Sequence, residues 1–153
     1  MDNVTVIGLR CVRPFNDIVK HFVDMGGDVI LVNPGLVCGR DHLLSAVMHA
    51  ERAFASGNNR SKTLLTETIM YAAGERQISK ALSKMRPKDG CGEMAAVVFN
   101  VTDMRLPEID AVRDDKILEC TPEKAKNMNL DVTMAPACEM ALEMVAMMDI
   151  QKQ

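Results

Sequence analysis

Aromatic residues are scarce in this 153-residue chain, which has no Trp, one Tyr and four Phe. A surface that binds single-stranded nucleic acid by stacking needs several aromatic side chains, so such a platform is excluded. No apolar run reaches the 18 residues that a membrane-spanning helix requires. A charged-then-apolar signal sequence is also absent from the start of the sequence. We therefore expect no contact with a membrane.

Motifs of the common enzyme classes are missing as well. The sequence contains no GxGxxG, no P-loop, no GxSxG and no HExxH. It has no CxxC pair, and its three His do not cluster with its five Cys, so no zinc site is expected. These absences predict a protein that is not an enzyme and has neither cofactor nor metal.

The five Cys are widely spaced and odd in number, which favours free thiols in a reducing cytoplasm. Cys38 stands just before a predicted helix that contains His42, where the helix N-terminus lowers a thiol pKa. An alternative function is therefore a small thiol-dependent enzyme domain using Cys38, or a ligand-binding domain with a Met-lined pocket. An inert, buried Cys38 is the competing interpretation.

Charge is distributed unevenly along the sequence. The net charge is -3, yet residues 60–90 carry seven basic and three acidic side chains. Arg76, Lys80 and Lys84 follow one another at intervals of four on a predicted helix over 75–85, so they share one face. Such a basic stripe suits a phosphate backbone, and a merely solvated helix face is the alternative.

Methionine is abundant, with 13 residues, and several lie in a predicted last helix over 137–148. This helix has two apolar stripes, one through Val145 and Met148 and another through Met140, Met144 and Met147. A helix that is apolar on more than one side is either buried in its own core or docked on another protein. Methionine suits an adaptable interface of that kind.

Strands and helices are interspersed without regular βαβ spacing. Apolar runs predict strands at 4–10, 28–32, 94–99 and 117–120, while helical periodicity predicts helices at 41–56 and 62–73 besides those named above. The length is typical of one domain. We expect a single α+β domain over 1–153, with a small mixed or antiparallel sheet and several helices in two layers.

The stretch from Leu31 to Leu82 resembles a known family. Its distinctive pieces are Val32-Asn33-Pro34, then His42-Leu43-Leu44-Ser45-Ala46, then Ala73-Gly74-Glu75-Arg76-Gln77-Ile78. Together they resemble the KEOPS-complex subunit that binds the small kinase of that complex, the TPRKB (PRPK-binding protein) family, in its archaeal form. The resemblance covers about a third of the chain, and the last helix matches more loosely.

The resemblance implies a cytoplasmic, non-enzymatic regulatory subunit in tRNA processing. Its complex installs threonylcarbamoyladenosine in certain tRNAs, and the subunit binds the small atypical kinase/ATPase and helps to recruit tRNA through the 3′ CCA end. Arg76-Gln77-Ile78 carries over by residue, and helical geometry adds Lys80 and Lys84. The expected tRNA-binding residues are Arg60, Lys62, Arg76, Gln77, Lys80 and Lys84. The expected kinase-binding residues are Met140, Met144, Val145, Met147 and Met148.

Overall fold

The computed structural model describes residues 3–88 and 90–150. These residues form two compact units. The first, called the sheet unit, holds the described residues of 1–34 and 86–118, and the second, called the helical unit, holds those of 35–85 and 119–153. Each unit therefore combines segments that are far apart in sequence.

The sheet unit contains four antiparallel strands in the order β2-β3-β1-β4. They are β1 (Val4–Arg10), β2 (Asp28–Val32), β3 (Glu93–Phe99) and β4 (Val112–Arg113). β3 pairs with both β1 and β2, and its residues from Met94 to Phe99 are buried, as its continuous apolar run predicts.

The strand predicted at 117–120 is wrong. The structure has a 3-10 turn at Asp115–Leu118, and the short β4 precedes it. Asp114 holds the turn, since the Lys116 N–H donates to its Oδ1 at 3.2 Å and the Ile117 N–H donates to its backbone carbonyl. Such turns compete with strand pairing where acidic residues occur together.

Helix α1 (Phe15–Asp24) contributes Ile18 and Phe22 to the apolar core of the sheet unit. β1 contributes Ile7 and Leu9 to the same core. Gly8, between them, is required by close packing, because a Cβ there would lie 2.0 Å from the Asp114 carbonyl oxygen. A second 3-10 turn, Leu106–Ile109, contributes to this core through Ile109.

The helical unit is built from five α-helices among its described residues. They are α2 (Arg40–Ala55), α3 (Leu64–Ala73), α4 (Ile78–Met85), α5 (Pro122–Asn127) and α6 (Ala137–Ile150). α2 packs against α3 and α6, and α3 also packs against α4. A 3-10 turn at Pro34–Leu36 leads toward α2.

Caps define the ends of these helices. Thr121 caps α5 as the Thr-Pro-Glu sequence predicts, accepting the Lys124 N–H at 3.2 Å. α3 begins two residues later than the predicted range 62–73, because Thr63 is its N-cap and accepts the Thr66 N–H at 3.2 Å. α3 ends at Gly74 in the left-handed conformation, with φ 65°.

The α+β class and an antiparallel sheet are thus confirmed. The single domain over 1–153 and the two-layer arrangement stay predictions. Within residues 3–88 and 90–150, no helix is long and apolar enough to cross a membrane.

Candidate interaction surfaces

The exposed part of the predicted basic stripe lies at and before α4. Arg76, Gln77 and Lys80 are all exposed, and so is Lys62, just before α3. The Gln77 carbonyl accepts the Ala81 N–H at 3.0 Å, which starts the hydrogen bonding of α4 and leaves the Gln77 side chain on the surface. These four side chains are available to an anionic partner.

Lys84 has a structural contact of its own. Its ammonium donates to the Ala73 carbonyl at 3.1 Å and lies 3.5 Å from Glu75 Oε1. A carbonyl in the last turn of a helix lacks an intrahelical partner, so Lys84 satisfies the C-terminus of α3. Lys84, whose side chain is 36% exposed, is thus partly committed to the fold.

Arg60 is also engaged within the helical unit. Its backbone N–H donates to both carboxylate oxygens of Glu67, at 3.0 and 3.1 Å, and its Nη1 lies 3.8 Å from the Met148 sulfur. Glu67 is buried and also accepts from the Ser61 backbone and hydroxyl, both at 2.8 Å. The Arg60 backbone is therefore fixed within a folded loop, and its side chain is partly buried.

Helical spacing puts Ile78, Ala81, Leu82 and Met85 on one apolar side of α4, and this side is only half buried. Ala81 and Met85 lie in the core, whereas Ile78 and Leu82 are each 41% exposed. Spacing along one helix does not show which of these side chains a packing partner covers. The outer surface of α4 thus combines apolar Ile78 and Leu82 with basic side chains.

Burial divides the methionine-rich α6 into two sides. Val145 and Met148 are 0% and 1% exposed, so both lie in the core of the helical unit and neither is presented to a partner. Met140 and Met144 are partly buried, and Met147 is 39% exposed. Of the five residues expected to bind the kinase, Met147 is the most accessible.

Met144 packs under the end of α3. A Cβ added at Gly74 would lie 2.8 Å from Met144 Cγ and 3.0 Å from its sulfur. Met144 also meets Met85 and Met128 around Leu36, and these side chains leave no room for a ligand between them. This cluster is therefore not a Met-lined ligand pocket, and the ligand-binding alternative as such stays a prediction.

Asp149, near the end of α6, joins three helices. His49 Nδ1 on α2 donates to its carboxylate at 2.6 Å, and the Tyr71 hydroxyl on α3 donates to its other oxygen. Burial, followed by this hydrogen bond, raises the pKa of Tyr71. This role of Asp149 was not predicted, because Asp149 is one of three acids along α6 and its partners lie on other helices.

Cys38 is not a free thiol, because it forms a disulfide with Cys120. Its backbone N–H donates to His42 Nδ1 at 3.1 Å, and His42 Nε2 donates to the Ala72 carbonyl at 2.9 Å. Burial lowers the pKa of His42 to about 4. His42 is thus a neutral structural residue, and the thiol-enzyme alternative lacks its nucleophile. Cys11, Cys91 and Cys138 are free, as expected.

An apolar groove of about 620 Å³ lies beside this disulfide. Its walls come from α5, the loop after α5 and the first residues of α6. They are formed by Cys120, Thr121, Pro122, Ala125, Lys126, Leu130, Val132, Pro136, Ala137 and Cys138. The described residues contain no group of three or more His, Cys, Asp or Glu side chains arranged to hold a metal ion.

One protein-family model, described as kinase binding protein CGI-121, matches residues 13–142. The matched span includes all of α4 and the first residues of α6, so it covers the basic surface and part of the methionine-rich helix. This is the kinase-binding family that the motifs between Leu31 and Leu82 resemble. No curated protein matches the chain.

Proposed function

Because the chain belongs to the CGI-121 family of kinase-binding proteins, we propose that it is a regulatory subunit of an archaeal KEOPS complex. In this role it binds the small kinase/ATPase subunit and helps to recruit tRNA through the 3′ CCA end, while other subunits form threonylcarbamoyladenosine. The family match over residues 13–142 carries the proposal. The subunit itself is non-catalytic, needs no cofactor or metal, and acts in the cytoplasm.

The kinase contact is proposed for the exposed side of α6. Met147, at 39% exposure, and Ile150, at 63%, are three residues apart and lie on neighbouring positions of the helix surface. Exposed apolar side chains of this kind are typical of protein interfaces. Met140 and Met144 extend the surface where they are partly exposed. Val145 and Met148 are buried and pack beneath this surface in the core of the helical unit.

The proposed kinase contact is tested by pull-down with the purified small kinase. Met147→Glu places a charge on the proposed surface and is expected to weaken binding at least about tenfold, which corresponds to about 1.4 kcal/mol. Met134→Glu is the matched control, because Met134 is 76% exposed but lies outside α6. Equal binding by the two variants and the unchanged protein would refute the α6 contact.

The tRNA contact is proposed for the exposed residues Lys62, Arg76, Gln77 and Lys80, with Lys84 at its edge. Side chains of Lys and Arg bind phosphates, and the Gln77 amide has both donors and acceptors for a base edge. Arg60 contributes through the fold of its loop. A small contact of this kind agrees with the scarcity of aromatic side chains, because it depends on charge rather than on stacking.

The proposed tRNA contact is tested by binding assays with intact tRNA and with tRNA that lacks its CCA end. The double variant Arg76→Glu, Lys80→Glu is expected to lose tRNA binding at moderate salt and to keep kinase binding. Lys116→Glu in the sheet unit is the control for a general charge effect. Equal affinity for intact and trimmed tRNA would contradict recruitment through the CCA end.

A disulfide is unusual in the cytoplasm outside hyperthermophiles. The proposed location is therefore tested together with the state of Cys38 and Cys120. Cells are lysed in an alkylating agent, which blocks thiols and leaves disulfides intact. Recovery of the subunit with the kinase from the soluble cell fraction supports the location, and recovery only from secreted material contradicts it.

A further inference from the structure

A disulfide and a free thiol share the apolar groove of the helical unit. Cys120, which is bonded to Cys38, forms one part of the wall, and Cys138 forms another. Cys138 is exposed and unbonded, and it is the second residue of α6. Two sulfur centres of different oxidation state are thus brought to one site.

Packing holds the two sides of this groove together. Cys38, Met128 and Ala141 form a buried apolar cluster, and both Cys120 and Ala137 pack against it. Ala137 directly precedes Cys138, so the backbone next to the free thiol and the disulfide contact the same cluster. The positions of Cys120 and Cys138 are therefore linked by tertiary structure.

We propose that Cys138 exchanges with the Cys38–Cys120 disulfide. The Cys138 thiolate attacks Cys120 Sγ, a new Cys120–Cys138 bond forms, and the bond to Cys38 breaks. Cys38 leaves as a thiolate and takes a proton from solvent, replacing the one that Cys138 released. One disulfide and one thiol exist before and after the step, so neither an oxidant nor a reductant is consumed.

Access determines which sulfur is attacked. Cys38 is 1% exposed, whereas Cys120 is only partly buried and lies in the groove wall. Lys126 lines the same groove. The two other free cysteines, Cys11 and Cys91, belong to the sheet unit and do not line this groove.

The exchange gives the helical unit two covalent forms. In the first, the segment before α2 is tied to the start of α5, and in the second, the start of α5 is tied to the first turn of α6. The second form closes a much shorter loop and releases Cys38 from its cross-link. This inference depends on neither a kinase nor an RNA partner.

Disulfide mapping tests the exchange directly, because trypsin places each cysteine on a different peptide. Residues 21–40 contain Cys38, residues 117–124 contain Cys120, and residues 127–152 contain Cys138. The full-length protein is incubated at pH 8 without added thiol, quenched with acid at several times, alkylated, digested and analysed by mass spectrometry. We expect peptide 117–124 to be joined to 21–40 at first and increasingly to 127–152.

Two variants and one mixing experiment complete the test. Cys138→Ser should keep only the linkage between 21–40 and 117–124, while Cys91→Ser, which removes another exposed thiol, should exchange like the unchanged protein. Mixing isotope-labelled with unlabelled protein distinguishes exchange within one molecule from exchange between two. Absence of the 117–124 to 127–152 linkage at every time, or its presence only between molecules, would overturn the proposal.

Discussion

The hydroxyl of Tyr71 donates a hydrogen bond to the carboxylate of Asp149, 78 residues later in the chain. Tyr71 is fully buried in α3, and Asp149 lies at the end of α6. His49 of α2 donates to the same carboxylate, and its ring centroid is 5.5 Å from that of Tyr71. This junction fixes the end of the helix that carries the proposed kinase contact.

Removing the Tyr71 hydroxyl should therefore destabilise the helical unit. A hydrogen bond to a charged group contributes about 1.5–3 kcal/mol, so Tyr71→Phe should lower the free energy of unfolding by about that amount. Urea denaturation followed by circular dichroism measures the change. Glu143→Gln, an exposed substitution on α6, should stay within about 0.5 kcal/mol. A Tyr71→Phe protein as stable as this control would show that the junction contributes nothing.

Acid should destabilise the protein through His42. Its pKa is about 4 in the folded state because of burial, against about 6.5 unfolded, so the unfolded chain binds more protons between these values. The stabilising contribution is complete above pH 6.5 and falls by about 3 kcal/mol as the pH drops to 4. Comparing urea midpoints of the protein and of His42→Gln across this range isolates the effect. If the urea midpoints of the unchanged protein and of His42→Gln fell in parallel with pH, the assignment of the effect to His42 would be contradicted.

Gly74 and Gly57 form a matched pair for testing the contact with Met144. Both have positive φ, 65° and 73°, but only at Gly74 would a Cβ meet a neighbour, Met144 Cγ at 2.8 Å. Substitution by Ala should cost about 1–2 kcal/mol at Gly57 from the backbone alone. Gly74→Ala should cost more, because Met144 must move as well. Thermal unfolding of both variants measures the two losses of stability. Equal losses would mean that Met144 moves aside without cost.

Reduction of the Cys38–Cys120 disulfide should destabilise the chain. The two cysteines are 82 residues apart, and loop-closure entropy for that length predicts a loss of about 4.5 kcal/mol. The urea midpoint of the unchanged protein should fall when a reductant is added. The double variant Cys38→Ala, Cys120→Ala should already have a low midpoint and should not respond to reductant. A response equal in both proteins would assign the effect to another cause.

Lys80 and Lys84 should give opposite results in binding and stability assays. Lys80→Ala removes an exposed cation and should weaken tRNA binding, with a shallower dependence on salt, while leaving stability unchanged. Lys84→Ala removes the donor to the Ala73 carbonyl and should lower the free energy of unfolding by about 0.5–1 kcal/mol. Filter binding at several salt concentrations and urea denaturation measure the two effects. Equal changes of tRNA affinity and of stability in the two variants would contradict these separate roles of Lys80 and Lys84.

Local patterns predicted most of the secondary structure. The continuous apolar run of β3 and the helical periodicity of α2 depend on neighbours in sequence, so both elements were predicted without tertiary information. The two-residue β4 was missed because its strand character comes from pairing with Leu9 and Arg10 of β1 rather than from its own residues.

The candidate surfaces were predicted less completely. Helical spacing placed Lys80 and Lys84 on one face, but it does not show that the Lys84 ammonium reaches the end of α3. The same spacing grouped Met147 with Met140 and Met144, and only packing decided which of them stays accessible. Solvent exposure depends on contacts between distant segments, so periodicity along one helix does not determine it.

The sequence by itself determined the α+β elements, the basic segment before and within α4, the apolar character of α6 and the resemblance to the kinase-binding family. These features follow from side-chain periodicity, capping residues and motifs, all of which are local. Tertiary structure alone decided that Cys38 bonds to Cys120, that Asp149 joins Tyr71 and His49, and that Val145 and Met148 face inward. Those pairings join residues far apart in the chain, and they are fixed by packing and desolvation rather than by local preference.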